Sequence, residues 1–112
     1  MDLTIAVSRL NGLLWVTLEG DLDLEAARRL ERELERIDLS ETDVRVDLSR
    51  LSFIDSTGLS VLLGLASRAQ ETGRRVALVR PTPAISRLLH LVDVAQRFDI
   101  VAADAEPLTR TA

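Results

Sequence analysis

Cysteine and lysine are both missing from the 112 residues, and the aromatic side chains are limited to Trp15, Phe53 and Phe98. Without cysteine there is no disulfide, no thiolate metal site and no cysteine nucleophile. Without lysine there is no Schiff base and no phosphate-binding loop ending in Gly-Lys. All 14 basic residues are arginine. So few aromatics make a stacking platform for single-stranded bases unlikely to be built here. Basic charge is also short: 18 acidic residues give a net charge of −4. No surplus is left to neutralise phosphates, so no direct nucleic acid binding is expected. Long apolar runs are absent, so no membrane insertion is expected either. Met1-Asp2-Leu3-Thr4 lacks the basic and apolar regions of a secretory signal, and the expected location is cytoplasmic.

What is present suits one compact domain over residues 1–112, with 46% apolar residues for its core. The core is expected over about residues 3–101, with 102–112 a tail. Leu3, Ile5 and Val7 alternate with polar or small residues, and Asn11-Gly12 is a hairpin turn signal before the return strand Leu13 to Leu18. Gly20-Asp21-Leu22-Asp23 breaks that strand. Asp23 is the expected cap of a helix running to about Ile37, with Ala27, Leu30, Leu34 and Ile37 as its apolar stripe. Glu25–Arg29 and Glu33–Arg36 lie at helical spacing on its solvated side.

A cleanly alternating strand, Val44 to Leu48, follows. A short polar link then leads to a second helix, roughly Thr57 to Glu71, closed by Gly73. Gly64 stands in its interior, where close packing on the sheet is the expected compensation. Arg74 to Val79 is the next strand. Thr82 caps a third helix that has Pro83 at its first position and Ile85, Leu88, Leu89 and Val92 on its apolar side. Phe98 to Val101 adds a short last strand. The order predicts an α/β fold: a mixed sheet of four or five strands, an antiparallel N-terminal hairpin followed by parallel strands, with helices mainly on one face.

Asp55-Ser56-Thr57-Gly58 stands at the start of the second helix. Helix starts offer unpaired N–H groups and a partial positive charge, so a hydroxyl there serves as a cap and a phosphate is tolerated. In such sheets, sites gather at the carboxyl ends of the strands, so Asp21, Asp23 and Asp55 should share one rim with Ser56. Catalysis is not expected. The sole histidine, His90, lies between Leu89 and Leu91, and Ser56 lacks the Gly-x-Ser-x-Gly elbow. The three aspartates could attract magnesium, but two helix caps and a surface acid account for them, so neither metal nor cofactor is expected. A phospho-accepting receiver domain would need a lysine. What remains is a binding domain with a modifiable serine.

The chain resembles the STAS domains, specifically the bacterial anti-sigma factor antagonists, over about residues 3–101. Three stretches carry the likeness: Val16 to Asp23, Val46 to Leu59, and Pro83 to Leu89. The middle one, with Asp55-Ser56-Thr57-Gly58, is the specific one. The resemblance implies phosphorylation at Ser56 and partner binding by Asp21, Asp23, Asp55, Ser56, Thr57 and Gly58. It implies as partner an anti-sigma factor with serine kinase activity, which itself binds the ATP and releases its sigma factor when the unphosphorylated antagonist docks. It further implies a phosphatase of the PP2C type that restores the docking form. The same resemblance admits a non-switching STAS adaptor subunit of a transporter or of a stress-signalling complex.

Overall fold

The computed structural model describes residues 1–92 and 94–101; the expected tail, 102–112, lies outside them. The chain runs β1 (Thr4–Leu10), β2 (Leu13–Leu22), α1 (Leu24–Glu35), β3 (Val44–Ile54), α2 (Ser56–Glu71), β4 (Val76–Val79), α3 (Pro83–Leu91), a 3-10 turn (Ala95–Arg97) and β5 (Asp99–Val101). The sheet order is β1-β2-β3-β4-β5. β1 and β2 are antiparallel, and every later pairing is parallel. The predicted mixed sheet is therefore observed. Asn11 and Gly12 both hold positive φ, 54° and 77°, the backbone that a tight hairpin with the right-handed twist of its strands demands.

One hydrophobic core joins the sheet to all three helices. Leu14, Val16, Leu18 and Leu22 of β2 meet Val44, Val46 and Leu48 of β3, and Val76 and Leu78 of β4. Over them lie Leu30 and Leu34 of α1, Leu62, Leu65 and Ala69 of α2, and Ile85 and Leu89 of α3. Full burial of one such leucine stabilises by about 2 kcal/mol, so this apolar face fixes the layer. The opposite face mixes apolar and charged groups: Trp15 pairs with Arg45 in register, Ala77 and Val79 are buried beside them, and the Asp47 carboxylate meets the Arg80 guanidinium at 2.5 Å.

Five expectations need correction, the first being that β2 does not break at Gly20 but runs on to Leu22. β3 does not stop at Leu48 but continues to Ile54. Its buried residues go from two apart (Val44, Val46, Leu48) to three apart (Leu48, Leu51, Ile54). The cause is two shifts of register against β2, between Thr17 and Glu19 and between Gly20 and Asp21. Bulges of this kind break the period of two, which makes the second half of the strand read as a link. On α1, the Glu25–Arg29 pair does not form; Arg29 instead donates to the carbonyl of Leu3, tying the helix to the sheet edge. α1 also ends at Glu35, short of Ile37.

Gly64 is the fifth. A Cβ built there meets nothing within 4 Å, so close packing on the sheet is not its reason.

Candidate functional site

The site is built from two strand ends and two helix starts. β2 and β3 run side by side, with Asp21 opposite Phe53 and Leu22 opposite Ile54. The Asp55 N–H donates to the Leu22 carbonyl at 3.3 Å, locking the start of α2 to the end of β2. Asp23 caps α1, its carboxylate accepting from the Ala26 N–H at 3.0 Å. Asp55 caps α2 in the same way, accepting from the Gly58 N–H at 3.0 Å and from the Thr57 hydroxyl at 2.5 Å. Asp23 and Asp55 border one shallow hollow, together with Leu24, Glu25 and Arg28. Asp21, at the end of β2, lies beside them with its carboxylate 2.7 Å from the Met1 amino group. The rim expected from the topology does bring the three acids to one end of the sheet.

The roles within the motif differ from the simple cap expected of Ser56. Asp55 is the cap, and Ser56 is the first helical residue. Ser56 is exposed, and its hydroxyl has no hydrogen-bond partner among the described residues. Its carbonyl accepts from the Ser60 hydroxyl one turn on. Because Asp55 fills the capping place, the Ser56 oxygen is left free for chemistry. Thr57 is half-buried and Gly58 is buried. A Cβ at Gly58 would lie 2.6 Å from Leu22 Cγ and 2.8 Å from the Leu22 carbonyl oxygen. Gly58 thus serves the close approach of helix and strand.

Hydrogen bonds from the Thr57 hydroxyl, and then from the Gly58 N–H, hold the Asp55 carboxyl below its ordinary value of 3.8. A carboxyl depressed in the folded state stabilises that state above its unfolded value and loses the contribution as pH falls through the folded one. Asp55→Asn is therefore expected to lower Tm by a few degrees at neutral pH. Thermal melts should show the gap from the wild type closing below about pH 4. A gap that stays constant down to pH 2 would mean that charge has no part in the cap.

Each aspartate of the rim is already engaged, and no group of three or more metal-ligating side chains forms among the described residues. His90 is exposed on α3, its Nδ1 2.7 Å from the Ser86 carbonyl oxygen of its own helix. Sequence reasoning missed the apolar members of this rim. Phe53 is 49% exposed and Leu24 is 50% exposed. The place of Phe53 two residues before Asp55, in what reads as a polar link, is the available signal.

Known proteins resemble the chain in sequence and in fold. A family model described as "Mlab, STAS domain" matches residues 5–102. The chain is 31% identical to the BtrV protein of Bordetella bronchiseptica over 106 residues, which cover 88% of this chain and 91% of that one. It is 26% identical over 106 residues to the anti-sigma-B factor antagonist of Bacillus subtilis, covering 95% of this chain and 94% of that protein. The crystal structure of an anti-sigma factor antagonist from Mycobacterium paratuberculosis superposes with a TM-score of 0.84 at 25% identity, over 96% of this chain and 92% of that one.

Proposed function

The chain belongs to the STAS domain family, and from that membership we propose that it is an anti-sigma factor antagonist switched by phosphorylation of Ser56. The unphosphorylated form binds an anti-sigma factor with serine kinase activity and frees the sigma factor that the kinase had held. The kinase carries the ATP and transfers its terminal phosphoryl group to the Ser56 hydroxyl, leaving ADP. A phosphatase of the PP2C type hydrolyses the phosphoserine and returns the binding form. The protein is substrate and switch, and catalysis belongs to its partners. Asp21, Asp23, Asp55 and Thr57 frame the surface that the kinase reads around Ser56, with Phe53 and Leu24 as apolar anchors beside it.

The observation that carries the reading is the free, exposed Ser56 hydroxyl at the first position of α2, next to a carboxylate already committed to the cap. A phosphate there meets the positive end of a helix dipole, so the domain survives the modification while its already acidic rim gains about −1.5 to −2 charges. No helix is long and apolar enough to cross a membrane, among the residues described. Incubation with the cognate kinase and ATP, followed by mass spectrometry, should place one phosphate on Ser56 and none on the Ser56→Ala variant. Confirmed binding with no phosphate on Ser56 would sink the switch.

A second reading is a STAS adaptor that does not switch, which membership of the STAS family at large equally supports. It expects a stoichiometric complex with a non-kinase protein of a transporter or stress-signalling assembly, and no phosphate in cells. The same mass measurement decides between the two.

A further inference from the structure

A trough runs along the helix layer between α1 and α2. It begins at the hollow shared by Asp23 and Asp55, passes Arg28 and Val61, and ends at Arg68. Its deeper part has an apolar floor of Leu34, Val61 and Leu65. Gly64 opens its wall. That glycine sits mid-helix, outside the left-handed region, with empty space where a Cβ would be. Glycine in a helix interior is less stable than alanine there, so nothing in the free chain repays its use. The space it leaves open admits a side chain inserted from outside.

The charge of the trough says what that occupant carries. Glu31 and Glu35 stand along its α1 edge, both exposed and neither with an ion pair or hydrogen bond among the described residues. Arg68, at its end, donates to the carbonyls of Leu34 and Ile37 at 2.9 Å each and pairs with neither glutamate; it and Arg28 offset only part of the charge of Asp23, Glu25, Asp55, Glu31 and Glu35, so the lining is acidic on balance. A second copy of this chain would bring its own net charge of −4 toward two unpaired carboxylates.

We propose that this trough receives a segment of the anti-sigma partner that inserts an apolar side chain at Gly64 and sets basic residues against Glu31 and Glu35. The inference rests on the antagonist reading, and it extends the docking surface from the switch rim down the α1–α2 seam. The rim then reports phosphorylation, and the trough selects which partner binds.

The experiment is calorimetric titration of the anti-sigma factor that the wild type binds in the kinase assay, against Gly64→Ala, Gly64→Leu and the Glu31→Arg/Glu35→Arg double variant. Gly64→Ala should melt several degrees higher than the wild type, since its methyl enters open space, and yet bind less tightly. Gly64→Leu fills the trough and should lose on the order of 100-fold in affinity, as when a central anchor of an interface is denied its pocket. The charge reversal should lose about 10-fold, and added salt should narrow its gap from the wild type. Wild-type affinity in a folded Gly64→Leu or Gly64→Ala variant, or tighter binding on charge reversal, would overturn the proposal while leaving the antagonist reading intact. A sedimentation shift on Gly64→Leu with unchanged partner affinity would overturn it too, by assigning the trough to a second copy. Failure of the wild type to bind any such factor would defeat the antagonist reading itself, and this one with it.

Discussion

Ser56→Asp is expected to fold like the wild type and to bind the anti-sigma partner roughly 10- to 100-fold more weakly, while full phosphorylation should cost about 30- to several-thousand-fold. The tolerance of the fold follows from position. Ser56 is exposed and is the first residue of α2, where its neighbours' N–H groups and the helix dipole favour negative charge. The sensitivity of the interface follows from what is already there. Asp55 stands next to it in the chain, and Asp23 borders the hollow next to Asp55. A partner that closes over this rim desolvates a new anion among carboxylates, and mismatched buried charge of that kind costs about 2–5 kcal/mol. Aspartate adds only one charge where phosphate adds about −1.5 to −2, which sets the smaller figure. Ser56→Ala removes the acceptor and should bind constitutively. Calorimetry on the three forms, with melts to confirm the fold, checks this. Equal affinity of Ser56→Ala and Ser56→Asp would exclude electrostatic release.

The parts of this molecule legible in the sequence are those whose signals are local. The hairpin is announced by Asn11-Gly12, and both residues adopt the positive φ that the turn needs. The start of α3 is announced by Thr82 and Pro83, and the Thr82 hydroxyl does accept from the Ile85 N–H. The alternation of Val44, Val46 and Leu48 places the helices on one face. What was not legible depends on partners distant in the chain. The second half of β3 loses its period because β3 carries two extra residues against β2, a mismatch that shows only once the two strands are paired. Arg29 leaves its helical neighbour Glu25 for a carbonyl on Leu3, twenty-six residues away. The capping role fell to Asp55 rather than Ser56 because a carboxylate at that position reaches both the Gly58 N–H and the Thr57 hydroxyl.

Gly58→Ala should lower stability by about 2 kcal/mol, although alanine is the better helix former. The sign is set by Leu22. The added methyl would lie 2.6 Å from its Cγ and 2.8 Å from its carbonyl oxygen. Leu22 is fully buried at the end of β2, so its side chain has nowhere to swing. Its carbonyl is held by the Asp55 N–H, so the backbone yields only if the start of α2 lifts away. For a domain of this size the expected fall in Tm is about 8–16 °C. Lifting the helix start also moves Asp55 and Ser56 off the rim, so Ser56 should become a poorer kinase substrate at temperatures where the variant is still folded. Gly64, two turns further along the same helix, supplies the internal control, since the same substitution there adds a methyl to empty space and should stabilise by about 1 kcal/mol. A Tm for Gly58→Ala equal to or above the wild type would show that α2 and β2 can separate freely, and that the serine is not positioned by the strand beneath it.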